Sequence, residues 1–444
     1  MNPKLLTVMV AAWNNFSTKH NRLFAESIWI ASGQIMRAIG MLVGIRFLTS
    51  FVTPAVFGKF SLLLGVLALG TGIFIHPFLH AINRFYHEAN QSNTIPQLRL
   101  EIKKLLIYSV SLMALIIIFA GSFYAYFYTT ASILTSLILI ALLFAEVFSA
   151  YETNFLTASR RQAYYSIWVA IECWLKAGVA LLLIKFWQPS VNAILIGYTI
   201  GIIFTLFILY LPPINTDNYV GQSLKKKDNS ELTHRIFTFA FPLFPLALVG
   251  WISSVGDRYI IGAMLDYNAV GFYAAAYGII FQPFLIAGGI IELVTRPIYF
   301  QAVSDREEKC ESSTFRYWLV LVIIISIAGF FLVLLSHDFI SDIFLGKDFR
   351  PASDLMPWIG AGGGLLAVCH VMEKPFYAYM QTRFVLLVQI SGSFSSIALC
   401  LLLIPFYGIS GAAIAVPIYF GLQCLVAFIL NLKFAKKSKS NEIL

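Results

Sequence analysis

Apolar runs long enough to cross a bilayer follow one another from Phe24 almost to the C-terminus, separated by short polar clusters. A spanning helix needs about 20 mostly apolar residues. Cutting the runs at their polar breaks predicts helices over Phe24–Leu48, Phe57–Ile82, Lys104–Phe127, Ile133–Leu156, Tyr164–Phe186 and Val191–Leu211. After a polar stretch come Ile236–Ala263, Ala269–Val294, Arg316–Ser336, Leu355–Met372, Phe384–Phe406 and Gly411–Phe434.

Residues 212–235 contain Pro212-Pro213 and the run Lys225-Lys226-Lys227, and read as a linker between two six-helix halves, 24–211 and 236–434. Residues 1–23 have no secretory-signal pattern and read as a cytoplasmic amphipathic lead-in, and 435–444 as a basic tail. Two internal matches support the division. A shift of 220 places Leu181–Ile184, Phe186, Ser190 and Gly201 on Leu401–Ile404, Phe406, Ser410 and Gly421. A shift of 213 places Gly58, Tyr86 and Ala89 on Gly271, Tyr299 and Ala302. Because each half has an even number of spans, the halves are expected to be parallel repeats about an axis along the membrane normal.

Composition agrees: 444 residues are 59% hydrophobic and 12% charged, with a mean hydropathy of +0.79. That is an all-α integral membrane protein with no room for a soluble enzyme domain. The net charge of +9 does not point to nucleic acid. Of the 31 basic residues, only Arg46, Lys59, Lys185, Lys347 and Arg350 lie near the face opposite the N-terminus, and Arg37, Lys176 and Arg258 lie within spans. All others fall on the N-terminal side, so both termini are expected in the cytoplasm. The five cysteines have no spacing of a metal site or disulfide framework. No cofactor is expected.

Charges inside spans are costly and mark candidate sites. Val255–Tyr277 carries Asp257-Arg258 at the end of one span and a tight turn into the next. Neighbours on a helix project about 100° apart, so one of this pair is expected to face the other half while its partner anchors its own bundle. Arg37 has no acid three or four residues away, so it either lines a cavity or meets an acid from another helix. Lys176 follows Glu172 by four, the favourable order for a structural ion pair, and Arg296 follows Glu292 by four. Glu146 has no basic neighbour at helical spacing. It either pairs with Arg37 or Lys176 or binds Na+ or a proton. His76, His80 and Arg84 form a polar stripe, open to a phosphate-facing or a helix-bonding role. His370, Glu373 and Lys374 cluster at the end of the tenth span, and Gly360–Gly364 interrupts it, as close packing or as a hinge.

The motif Gly256-Asp-Arg-Tyr-Ile-Ile-Gly262, with Val270-Gly-Phe-Tyr273, Ala276-Tyr277 and Arg296-Pro297, resembles bacterial polysaccharide (O-antigen-type) flippases. These share a superfamily with MATE multidrug transporters and lipid II flippases. Phe57-Gly-Lys-Phe60 looks like the partner turn in the first half. The resemblance implies a MATE-like fold that moves an undecaprenyl-pyrophosphate-type oligosaccharide of O-antigen or lipopolysaccharide synthesis across the bacterial inner membrane by alternating access, beside a polysaccharide polymerase and chain-length machinery. Alternatives are a MATE-like multidrug or cation antiporter and a lipid II-type flippase. A membrane polymerase would need a large outer catalytic loop, and the longest outer gap, about 337–354, is short. Arg suits phosphate with its paired, permanently charged donors. The expected substrate site is therefore Arg37, His76, His80, Arg84, Lys176, Arg258, Arg296 and Lys374, drawn from both halves into one wet chamber. Glu146, Glu172, Asp257 and Glu292 are expected as counter-charges or ion-coupling groups.

Overall fold

A computed structural model describes residues 28–127, 131–210 and 230–439. The expected lead-in, most of the linker and the end of the basic tail lie outside the described residues. The described residues are almost wholly helical. The helices are α1 (Ile28–Phe51), α2 (Pro54–Phe74), α3 (His76–Gln91), α4 (Ile95–Phe127), α5 (Ala131–Ala158), α6 (Gln162–Phe186) and α7 (Val191–Tyr210). The second half follows as α8 (Ser230–Ala240), α9 (Leu243–Met264), α10 (Tyr267–Ser304), α11 (Glu308–Phe344), α12 (Met356–Met372), α13 (Lys374–Ala378) and α14 (Thr382–Lys439).

Eleven helical stretches are long and apolar enough to cross a membrane. The last of them is two spans, because Gly408 takes φ 58°, a left-handed conformation that glycine adopts without steric cost, and reverses the chain there. The structure therefore contains the twelve spans. Exposed apolar side chains on them, such as Leu335 at 84% and Phe394 at 74%, form the surface that lipid covers.

One expected helix is divided. Phe57–Ile82 reads as a single span, but α2 stops at Phe74 and α3 starts at His76, with Pro77 in its first turn. Proline has no N–H to give the preceding turn and its ring collides with the carbonyl four residues back. The chain turns at Ile75, and His76 and His80 belong to a separate, amphipathic helix. The seventh span is broken similarly, between α8 and α9 at Phe241-Pro242. Outside the apolar runs, α10 and α11 extend by several turns beyond the expected ends, because their polar termini keep helical hydrogen bonds past the lipid.

Connections alternate between two ends of the molecule: a near end, which receives the linker, and a far end. At the far end the halves touch closely. A Cβ on Gly58 would strike the carbonyl of Tyr267, and one on Gly271 the carbonyl of Pro54. The two glycines that match under the 213-residue shift thus face each other where α2 crosses α10. Thr49 Oγ1 accepts from Gly346 N at 2.9 Å, and Arg46 donates to the Leu345 carbonyl. Phe57 and Phe272 both pack on Phe349, with ring centroids 5.7 Å and 6.1 Å away. The N-cap Asp266 accepts from Ala269 N at 2.7 Å and fixes the start of α10 at this seam.

Candidate functional site

Inside the first half, α1, α2, α3, α5, α6 and α7 surround a cavity of about 770 Å³. It runs from Asn154 and Tyr165, near the near end, inward to Lys176 and Tyr198. From Tyr165 to Lys176 is about 16 Å of helix at 1.5 Å per residue. The cavity thus reaches from the near end into the middle of the bundle, and the sealed far end lies beyond it.

Three charges meet at its inner wall. Glu172 and Lys176, four apart on α6, share a face and lie 2.8 Å apart. Glu146 comes from α5 and stands 3.6 Å from the same ammonium group. The two carboxylates are held differently. Glu172 also accepts from Ser149 and from Trp168 Nε1 at 3.3 Å, while Trp168 donates to Ser149 Oγ at 2.9 Å. Glu146 has Lys176 as its ion-pair partner, lines the cavity, and keeps about 30% of its side chain exposed. Arg37 lines the same cavity, is exposed to it, and forms no ion pair with a described acid. Its backbone is fixed against α6, where Cys173 and Trp174 donate to the carbonyls of Arg37 and Met36 at 3.4 Å and 3.2 Å.

His76 lines this cavity and also a second one of about 350 Å³ between α2, α3 and α9, where His80 lies beside Trp251 and Ser254. Arg84 lines neither; it is exposed in the middle of α3. Among the described residues no cluster of three metal-ligating side chains occurs.

Asp257 and Arg258 divide as their helical angle requires. Asp257 is 2% exposed. It accepts from Tyr273 of its own half and from the backbone of Arg258. Arg258 reaches the other half and donates to Ser61 Oγ at 3.1 Å, with its guanidinium 5.4 Å from the Tyr277 ring centroid. In the same seam, Tyr259 OH donates to the Leu62 carbonyl at 2.6 Å and Trp251 Nε1 to that of Gly65 at 2.8 Å.

Glu292 bridges Lys374 at 2.7 Å and Arg296 at 3.2 Å, tying α10 to the start of α13. None of the three lines either cavity. The expectation of one chamber gathering cations from both halves is therefore not met in this conformation. Arg37, His76, Lys176, Glu146 and Glu172 come together and His80 adjoins them, while Arg258 sits in the far-end seam and Arg296 and Lys374 in a separate near-end cluster. Arg296 pairs with Glu292 one turn earlier, Lys374 meets the same Glu292 from the start of α13, and Arg258 is taken up by Ser61 and the Tyr277 ring, so these three are held away from the cavity. Ser149, Trp168, Tyr198 and Ser61 had no distinguishing mark in the sequence. Only the spacing of four from Trp168 to Glu172 hinted at a role.

This helical arrangement matches solved transporters over nearly its whole length. An inward-facing MATE-family multidrug resistance transporter of the MOP superfamily superposes with a TM-score of 0.77 at 15% identity, over 92% of this chain and 96% of that one. The lipid II flippase MurJ, in an inward closed conformation, gives 0.63 at 17% identity over 91% and 87%. A MOP-superfamily transporter from Pyrococcus furiosus, described as having a binding pocket of reverse polarity, gives 0.61 at 16% identity over 94% and 96%. No curated protein matches by sequence. By its fold the chain is a multi-pass membrane protein of the MATE-like class. Residues 23–303 match the family described as polysaccharide biosynthesis protein, and the chain belongs to that family.

Proposed function

We propose that the protein is a flippase that carries a polyprenyl-pyrophosphate-linked oligosaccharide, a repeat unit of a surface polysaccharide such as O-antigen, from the cytoplasmic to the outer leaflet. The observation that carries the reading is the charge state of the cavity wall. Both of its carboxylates are engaged by Lys176, whereas Arg37 lines the cavity, is exposed, and pairs with no acid among the described residues. The two cations and two carboxylates of the wall balance, so the group left to meet an anion is Arg37, whose guanidinium pairs with phosphate oxygens through parallel donors. Family membership supplies polysaccharide synthesis as the context. A cavity of about 770 Å³ suits a pyrophosphate and its first sugars, while the polyprenyl tail stays in lipid.

In this reading the near end faces the cytoplasm of a bacterial inner membrane, as the concentration of Lys and Arg there requires. The conformation is open to that side and shut at Gly58/Gly271, Arg46 and Arg258. Transport then needs those contacts to part and the near end to close. The polymerase and chain-length proteins that use the product are the expected partners, and the protein itself performs no covalent chemistry.

The test is binding of polyprenyl-pyrophosphate lipid by the purified protein, compared with organic cations. Wild type should prefer the lipid, and Arg37→Ala should weaken it about tenfold or more, for one charge-assisted contact of about 1.5–3 kcal/mol. The same variant should lower surface polysaccharide in a complementation assay while still inserting. A preference for organic cations, insensitive to Arg37, favours the drug-antiporter alternative.

A further inference from the structure

The second half contains a buried polar group that the transport reading does not use. Glu373, between α12 and α13, is 3% exposed. Its Oε1 accepts from Gln389 Nε2 of α14 at 2.8 Å. No basic side chain pairs with it among the described residues, because the adjacent Lys374 points its ammonium at Glu292, 2.7 Å away. Gln423, on the part of α14 after Gly408, is 0% exposed and approaches the same carboxyl group. Neither polar atom of its amide makes a hydrogen bond of normal geometry. Gly392 makes room for it, since a Cβ there would collide with the Gln423 amide oxygen.

An ionised carboxyl buried without a counter-charge, beside an amide with both ends unsatisfied, is costly on two counts. A proton lowers both costs, removing the uncompensated charge and giving the amide oxygen a donor, while the amide N–H group stays without an acceptor. A proton on Glu373 turns an oxygen into an O–H donor, which the Gln423 amide oxygen can accept while Gln389 still donates to the other oxygen. When the proton leaves to water, the Gln423 amide can turn and present its N–H to the carboxylate. The bond broken is the Glu373 O–H, and the bonds that remain are two amide donors on an anion. An amide is suited to both states because it carries a donor and an acceptor. A bound Na+ fits less well, since the site offers one carboxylate and one amide oxygen.

We propose that Glu373, with Gln389 and Gln423, is a proton-binding site of the second half. The groups facing Glu373 are Gln389 and Gln423 from the two parts of α14, and Lys374, Cys369 and Tyr377 from its own stretch. Of these only Lys374 is a fixed charge, and it is shared. Ionised Glu373 draws Lys374 from Glu292, loosening the Glu292–Arg296–Lys374 cluster that ties α10 to α13. Proton release at Glu373 is thereby linked to movement of the near end of the second half. The site is separate from the first-half cavity and does not depend on which substrate that cavity takes.

Infrared difference spectroscopy of the full-length protein in lipid nanodiscs, without substrate, tests this. Wild type at neutral pH should show the carbonyl band of a hydrogen-bonded protonated carboxyl. The band should disappear as pH rises and be absent from Glu373→Gln. Gln423→Leu should keep the band but shift its frequency. Identical wild-type and Glu373→Gln spectra overturn the proposal. So does loss of the band on adding Na+ at constant pH, which would make Na+ the ligand. Should Glu373→Gln fail to fold, the Gln423→Leu spectrum decides: an unshifted band overturns the proposal. Because no substrate is present, none of these results bears on the pyrophosphate reading, which the lipid-binding assay tests by itself.

Discussion

The three charges of the cavity wall predict an unequal response to neutralising either acid. At an effective dielectric of about 20, the Lys176–Glu172 contact at 2.8 Å is a gross attraction of about 6 kcal/mol, and the Lys176–Glu146 contact at 3.6 Å one of about 5 kcal/mol. Desolvation offsets much of both, and removing one member of a fully buried pair costs about 3–5 kcal/mol. These side chains keep 17–30% exposure and face a wet cavity, so about half that cost applies. Lys176→Met, which leaves two carboxylates facing each other, should destabilise by about 2–3 kcal/mol. Glu172→Gln should follow at about 2 kcal/mol, because the bonds from Ser149 and Trp168 lose their ionic acceptor. Glu146→Gln should stay below about 1 kcal/mol, its exposed carboxylate having only the looser contact. The assay is thermal unfolding of the detergent-purified variants at one scan rate, read as an order of apparent melting temperatures since unfolding of such proteins is commonly irreversible. The double variant Lys176→Met/Glu172→Gln should melt above Lys176→Met alone, because it removes a stranded charge. Equal loss from the two acid variants, or a larger loss from Glu146→Gln, refutes the assignment of Glu172 as the anchored partner.

The far-end seam predicts that Lys59→Cys and Tyr267→Cys, introduced together in a background lacking the native cysteines, are joined in membranes by a short bifunctional thiol reagent, since the Lys59 ammonium lies 4.8 Å from the Tyr267 ring centroid. Adding Gly58→Leu should abolish the cross-link, because the new side chain pushes away the backbone carbonyl of position 267; a persisting cross-link shows the seam does not need that close approach. At the near end, Arg235 donates to both oxygens of Glu88 at 2.9 Å, joining α3 to α8. That bond holds the Glu88 carboxyl below its ordinary value. A depressed folded value means that the contact contributes above the ordinary carboxylate range and is lost as pH falls through the folded value. Proteolysis near Ser230–Ala240 should therefore increase in acid and be raised at neutral pH by Glu88→Gln; equal cleavage of wild type and variant at neutral pH would sink this clasp.

Much of the architecture was legible in the chain. Spans show in sequence because the bilayer demands length and apolarity from each helix separately. The pairing of Glu172 with Lys176 and of Glu292 with Arg296 was legible too, since both follow from helical spacing. The break between α2 and α3 was also written in the chain, at Pro77, but the apolar run across Phe74 and Ile75 concealed it. What only the tertiary structure decided was which distant helices bring their polar groups together. Glu146 meets Lys176, Arg258 meets Ser61, Gly58 meets Gly271, and Gln423 comes to Glu373 through helix packing, which hydropathy does not encode. In a membrane every helix is greasy on most sides, so a lone serine, tryptophan or glutamine carries no periodic pattern to show which neighbour it faces. The residues that close the far end and shape the cavity could be found only once the helices were assembled.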